Sequence, residues 1–439
     1  MISAIENNRL LKLNTFDITE WLFYLYIFSL VFISGMAVGN LISKTIGYIL
    51  IGYFFIFDII IYKKKIIYFE EFVFILIWVI ICLISGLQVK DQQLYIGRLA
   101  TIFQLVVFYI ISYSIIVNHQ IKVKRLFLVI IFSTILIFIQ GIWMRSGVSI
   151  LLRDSRLYSA QGNPNTLANF GIFSFLFVTY FVFTVKNIWY KILFILIDGF
   201  LLYGLLETES RKAMVVIPFI ICFFFILHSV HQYREAQSKL RFIVRTCIIL
   251  SLLLLIMFGI YQFFIYSGYF RRFNKLLMFV QMQSGRNEQA FKTIIDYSTY
   301  ERRQFLKYGL QMWLDHFWIG RGLDNFKTCI NEYWLVSKHV YAHNNYVEML
   351  STTGVLGFIS YYMIYLIIFK KLFIALMNNN LEQRKLILVH TLLISMIVIL
   401  VIEMVIVSYY LKFIWLILVL ASSYTRQLLI ESSNAPDYA

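Results

Sequence analysis

Residues Tyr341–Phe369 read YAHNNYVEMLSTTGVLGFISYYMIYLIIF. The first positions carry His343, Asn344, Asn345 and Glu348, and from Met349 to Phe369 there is no charge at all. At a rise of about 1.5 Å per residue, such a run crosses a hydrocarbon core roughly 30 Å thick. The chain therefore enters a membrane here, and the polar island before it, Tyr266–Ala342, is held in water. A chain that otherwise lives in lipid needs a reason to keep such a segment outside, and the expected reason is chemistry.

Working outward, composition excludes a soluble fold. Hydrophobic residues make up 60% of the 439, charged residues 14%, and there are three prolines; mean hydropathy is +0.77. Apolar runs of spanning length fall near 18–36, 42–61, 70–88, 98–117, 126–144, 166–185, 191–207, 212–229, 245–265, 344–369, 386–407 and 409–425. Thr208–Arg211 divides the seventh from the eighth, which reads as a tight hairpin because a single crossing cannot use the combined length. The expected fold class is thus an all-α integral membrane protein with about twelve transmembrane helices and one large extracytoplasmic loop between helices 9 and 10. Its expected parts are a membrane domain over 1–265, the loop over 266–342, a second membrane portion over 343–425 and a cytoplasmic tail over 426–439.

Orientation follows from lysine and arginine, which collect on cytoplasmic loops. Lys63–Lys65, Lys122/Lys124/Arg125, Lys186/Lys191, Arg234/Lys239/Arg241/Arg245 and Lys370/Lys371/Arg384/Lys385 lie on alternate connections. Both termini then sit in the cytoplasm, and the island, the Arg145–Asn165 loop and the Glu207–Lys212 turn share the outer face. Much of the formal charge of +16 is this bias together with attraction to anionic lipid, so membrane lipids are expected partners and nucleic acid is not. The island itself holds eleven Lys/Arg against six Asp/Glu. That excess on the outer face suggests either an anionic ligand or a basic surface near lipid headgroups.

Cys82, Cys222 and Cys247 fall in or at predicted spans and Cys329 alone lies outside, so no disulfide framework is expected. The first span reads as a retained helix, and Ser432–Ala439 receives no function. No GxxxxGK[S/T] loop and no Asp-x-Asp pair occurs, which argues against an ATP-driven machine and against a metal-assisted transferase using nucleotide sugars. His339 and His343 stand four apart with His316 nearby, yet HExxH is missing and no carboxylate or thiolate completes a set, so neither a metal nor another cofactor is expected. What remains outside is arginine, histidine and asparagine. Arginine keeps its charge and offers a planar donor fork to phosphate oxygens, and histidine exchanges a proton near neutrality. Together they suit a transfer from a lipid diphosphate without a metal.

The island contains ERRQFLKYGLQMWLDHFWIGRGLDNF over Glu301–Phe326, followed by Ala342-His343-Asn344-Asn345-Tyr346 and Thr353-Gly354-Val355-Leu356-Gly357. Upstream lie Gly162-Asn163-Pro164-Asn165 and Ser210-Arg211. This series resembles the superfamily of O-antigen ligases and Wzy-type O-antigen and capsular polysaccharide polymerases, over roughly Gly162–Gly357. The family's proline before Gly-x-Gly is replaced here by Phe317-Trp318, and Glu207 and Glu209 flank the Ser-Arg turn. The resemblance implies a glycosyltransferase of the bacterial cytoplasmic membrane, active on its outer face, with an undecaprenyl-diphosphate-linked oligosaccharide as donor. It implies catalytic roles for Arg302, Arg211 and His343, and substrate contacts from Arg303, Asn165, Asn325, Asn344 and Trp313. Arg303 is the alternative to Arg302 as the contact, Arg211 could pair with Glu207 or Glu209, and His343 could anchor its span at the interface. A flippase and a chain-length regulator are the implied protein partners.

Glu403 sits deep in the eleventh span, where an ionisable group is a functional candidate; a hydrogen bond to a neighbouring helix is the other reading. The expected function is polymerisation of lipid-linked repeat units for a capsule, exopolysaccharide or O-antigen. Transfer of a lipid-linked glycan to another acceptor is the alternative within the same chemistry. A lipid-linked oligosaccharide flippase is the alternative of another class, although the late, external position of the large loop is unlike that of most transporters.

Overall fold

A computed structural model describes residues 17–36, 38–146, 157, 163–235, five separate positions between 239 and 251, 297–334, 340–377 and 381–433. All elements among them are helical. α1 (Ile18–Phe28) runs on as a π-helical turn, Ser29–Ile33, and α2 (Gly39–Tyr53) runs on likewise through Phe54–Ile61. There follow α3 (Phe72–Ser85), α4 (Gln92–Asn118), α5 (Val123–Ser146), α6 (Pro164–Thr184), α7 (Ile188–Glu207) and α8 (Arg211–Glu235). The remainder comprises α9 (Tyr297–Asp315), the short α10 (Phe326–Cys329), α11 (Asn345–Met377), α12 (Gln383–Glu403) and α13 (Lys412–Ser433).

Among the described residues eight helices are long and apolar enough to cross a membrane, namely α2 with its extension and α4, α5, α6, α7, α11, α12 and α13. Ile18–Ile33 and Phe72–Gln88 are apolar but shorter than a full crossing. The segments read at 18–36 and 70–88 are therefore shorter as helices than as hydrophobic runs, since the first breaks into turns after Ile33 and the second is closed by Gly86–Gln88. α8 coincides with the segment read at 212–229, and α7 and α8 are separate helices joined through Thr208–Ser210. The ninth segment, 245–265, lies outside the described residues apart from Cys247 and Ser251, as does the whole of 266–296.

Local chemistry sets the helix starts. Asp91 accepts from the Leu94 N–H at 3.1 Å to begin α4, and Asn163 accepts from the Asn165 N–H at 2.8 Å to begin α6, with Pro164 in the first turn. Over their most apolar 18 residues α6 and α12 are 83% buried and α7 17%, so the first two are central and the last is on the rim. α3 packs on α11, α4 on α13, and α12 on α6, α8 and α11. At the centre Trp78 lies 5.2 Å from the Tyr361 ring and 5.8 Å from Trp415, all three fully buried.

α11 is broken at Gly354 (φ 68°, ψ −172°), and the break is filled by residues 317–322. The Arg321 and Gly322 N–H groups donate to the Ser351 and Thr352 carbonyls at 2.9 Å, and the Val355 N–H donates to the Phe317 carbonyl at 2.9 Å. The backbone groups freed by the break thus find partners within the protein, as they must at membrane depth. Both strands of this contact need glycine. A Cβ on Gly354 would lie 2.2 Å from the Trp318 carbonyl oxygen, and one on Gly320 (φ +69°) would lie 2.4 Å from the Thr352 carbonyl carbon.

Candidate functional site

The same insertion positions α9. Its buried Phe305 and Met312 belong to a small core with Phe326, Cys329, Ile330, Ala342 and Val347. Arg302 lies one helical turn from Phe305 on this inner side and is half-buried, whereas Arg303 is exposed. At the end of the island, the Ala342 N–H donates to Glu348 Oε2 at 2.8 Å, and Asn344 Oδ1 accepts from the Val347 N–H at 3.0 Å to cap α11. These two bonds fix His343 between them in a left-handed conformation, φ 54°. Its ring lies 4.1 Å from Tyr341 and 6.2 Å from Phe305, centroid to centroid.

A cavity of about 560 Å³ opens beside these residues. One part of its lining is polar: Asn163, Asn165, Thr166 and Asn169 from the start of α6, Glu209, Arg211 and Lys212 from the hairpin, and Arg302, Tyr341 and His343. The other part is apolar, formed by Val215, Val216, Val401 and the 404–407 segment with Tyr410 and Leu411. Val215, Met404 and Val405 are also exposed on the outside of the bundle, so the apolar part reaches its surface.

Three cations and one carboxylate stand in this lining, and the imidazole among them is neutral. Burial, reinforced by the Arg302 charge, pushes the His343 pKa down to about 4. Burial also raises the Tyr341 phenol, against the opposing pull of Arg302. Lys212 Nζ donates to the Asn165 carbonyl at 2.7 Å and to Asn169 Oδ1, which joins the head of α8 to the head of α6. The Leu157 N–H donates to the Glu207 carbonyl at 2.7 Å, bringing the connection before α6 to the same place. A cationic surface, a helix N-terminus and a neutral imidazole can together hold an anion and accept a proton.

The cavity brings together Arg211, Arg302, His343 and Asn165, four of the residues singled out from sequence. The other four are not in its lining. Asn325 is fully buried, its Oδ1 accepting from the N–H groups of Lys90 and Asp91 at 3.1 and 3.0 Å, and it clamps the island to the α3–α4 connection. Next to it Asp324 accepts from Arg98 Nη2 at 3.1 Å. Asn344 caps α11 and donates to the Met404 carbonyl at 3.1 Å. Trp313 stacks on Phe317 at 5.2 Å, and Arg303 lies on the exposed side of α9. Among the described residues no group of three or more His, Cys, Asp or Glu could hold a metal; His339 lies outside them.

Lys212, Asn169 and the 401–411 wall were not found from sequence. Asn169 stands one helical turn after Asn165, a spacing that puts both on one face and could have drawn attention to it. No comparable signal marks the wall, whose residues look like any other apolar run.

A search of curated proteins finds no match to the chain. The family model described as O-antigen ligase matches residues 196–362, a range that contains Arg211, Arg302 and His343 but neither the start of α6 nor the 401–411 wall. Members of that family are membrane glycan-processing enzymes of the ligase and polymerase type. Residues 196–362 thus carry a match to the O-antigen ligase family, which supports the resemblance to the O-antigen ligase and Wzy-type superfamily.

Proposed function

We propose that this protein is a polysaccharide polymerase that joins undecaprenyl-diphosphate-linked repeat units on the outer face of a bacterial cytoplasmic membrane. The observation that carries the reading is the cavity in which Arg211, Arg302 and His343, from three separate segments, stand beside an apolar wall that reaches the surface of the bundle. A lipid diphosphate has the matching parts, an anionic head and an apolar tail. In this reading Arg211 and Arg302, with Lys212, hold the donor diphosphate and stabilise the negative charge that develops as its bond to the sugar C1 breaks. His343 accepts the proton of the acceptor sugar hydroxyl, whose oxygen forms the new bond to C1. The growing chain is the donor and the incoming single unit the acceptor. A neutral His343 favours this role, because a protonated imidazole could not take the proton.

The test is the size profile of lipid-linked glycans in the native host without this chain, with and without complementation. Accumulated single units and no polymer are the expected result. Long lipid-linked chains that never reach a final acceptor would establish a ligase instead, and an unchanged profile would discard both in favour of a transporter. Complementation with Arg302→Ala is expected to lower transfer by roughly 100-fold or more at normal membrane abundance. Full activity of that variant would overturn the assignment.

A further inference from the structure

Behind the apolar wall lies a carboxylate that the transfer chemistry leaves unused. Glu403 ends α12 and is 0% exposed. Its Oε1 accepts from Tyr365 Oη at 2.8 Å and from Ser408 Oγ, with Tyr361 Oη at 3.5 Å, and its Oε2 accepts from Tyr362 Oη at 2.9 Å. Three of these hydroxyls come from α11 and the fourth from the turn that follows α12. Asn345 grips the same turn: its Oδ1 accepts from the Ser408 and Tyr409 N–H groups at 2.9 and 3.1 Å, and its Nδ2 donates to Tyr362 Oη at 3.1 Å. Among the described residues no lysine or arginine forms an ion pair with Glu403.

A carboxylate withdrawn from water costs several kcal/mol, and a non-helical turn among membrane helices must have its polar groups satisfied within the protein. Here the two requirements meet, because Ser408, which donates to Glu403, belongs to the turn, and Tyr362, which also donates to it, is bonded to the Asn345 that grips the turn. That turn, 404–411, supplies Met404, Val405, Ile406, Val407, Tyr410 and Leu411 to the cavity. Glu403 itself does not line it.

We infer that Glu403 is a positioning residue: through Ser408, and through Tyr362 and Asn345, it fixes the 404–411 turn as the apolar wall of the cavity. The consequence for catalysis rests on the reading of that cavity as the donor site. Because Glu403 acts through the wall and not on the reacting atoms, its loss acts on donor binding and leaves the chemical step.

The experiment uses the purified full chain in lipid nanodiscs, with a polyprenyl-diphosphate-linked glycan as donor. Glu403→Leu is expected to raise KM for the donor about ten-fold with kcat within about two-fold of the wild type. Glu403→Gln keeps a carbonyl acceptor and an amide donor for the surrounding hydroxyls, and returns KM to within about three-fold. A collapse of kcat at unchanged KM would place Glu403 in the chemistry, and unchanged kinetics in Glu403→Leu would free the wall from it; either result overturns the inference. A second measurement needs no turnover and tolerates a poorly folding Glu403→Leu. Val407 is 3% exposed, so Val407→Cys, read on its own peptide, should be alkylated slowly by a water-soluble maleimide and about ten-fold faster when Ser408→Ala removes one of the bonds. Equal rates overturn the inference. Faster alkylation in a chain whose wild type transfers nothing from any lipid diphosphate donor would support the positioning role and sink the donor reading alone.

Discussion

Two buried carboxylates lie beside α11, and they are stabilised in different ways. Near its C-terminal end Lys371 Nζ stands 2.6 Å from Glu71 Oε2, and Glu71 Oε1 accepts from Tyr109 Oη at 2.9 Å and from Ser422 Oγ. Beside the middle of α11 Glu403 is surrounded by the hydroxyls of Tyr361, Tyr362 and Tyr365 and by that of Ser408. The ion pair ties α11 to the segment before α3 and has no contact with the cavity. The hydroxyl network carries no second charge but shapes a turn that lines the cavity. An ion pair is a unit that can be exchanged whole, whereas a network that also holds backbone cannot be removed without moving the backbone.

Breaking one half of the ion pair should have the largest effect. Lys371→Met leaves Glu71 buried without its cation and is expected to cost about 3–5 kcal/mol, read as a lower melting temperature and lower membrane abundance with donor KM unchanged per folded molecule. Replacing Glu71 and Lys371 together by methionine should recover part of that loss, the remainder being the buried Tyr109 and Ser422 hydroxyls left without Glu71 as acceptor. A raised donor KM in the single variant would break the division between the two carboxylates. Next comes Asn345→Ala, which strips the Ser408 and Tyr409 N–H groups of their acceptor. It is expected to cost about 1–3 kcal/mol for each group left unsatisfied and, unlike Lys371→Met, to raise donor KM as well.

A smaller effect is expected in pH. The folded value for His343, about 4, lies below the ordinary histidine value of about 6.5. The unfolded chain therefore binds more protons between these values, and stability falls as pH drops through that window. For the free enzyme, kcat/KM should stay level down to about pH 6 and decline only well below it. A bound diphosphate adds negative charge near the imidazole and raises its pKa, so the acid limb of kcat should lie above that of kcat/KM. An acid limb of kcat/KM centred near 6.5 would show that burial and Arg302 do not act on this ring. The smallest change is expected from Arg303→Ala, within about two-fold in kcat/KM, since an exposed substitution away from the site is usually worth less than about 0.5 kcal/mol. A loss matching that of Arg302→Ala would exchange the roles of the two arginines.

Much of the fold and part of the site were legible in the residues. Membrane helices announce themselves because the transfer of apolar surface into lipid is a local property, summed over one run such as 166–185; the run Met349–Phe369 is as apolar, yet only the structure shows it broken at Gly354. Helix starts were legible for the same reason, since Asn163-Pro164-Asn165 acts within its own turn. Arg211, Arg302 and His343 were found because each stands in a short segment resembling those of a known superfamily. Asn325 and Asn344 stand in such segments too, yet one clamps the α3–α4 connection and the other caps a helix and holds the Met404 carbonyl. A motif marks a residue the fold needs without saying whether its partner is a ligand or backbone.

The sequence by itself determined that this chain crosses a membrane many times, that a polar island stands before α11, and which superfamily that region resembles. Each of these depends on residues close together in the chain. Only the tertiary structure decided that residues 317–322 fill a break in α11, that Lys212 joins α6 to α8, and that Glu403 and Asn345 hold the wall of the cavity. Those contacts are hydrogen bonds between groups far apart in sequence. Their geometry exists only once the helices have packed and the water that would otherwise satisfy these groups has been excluded.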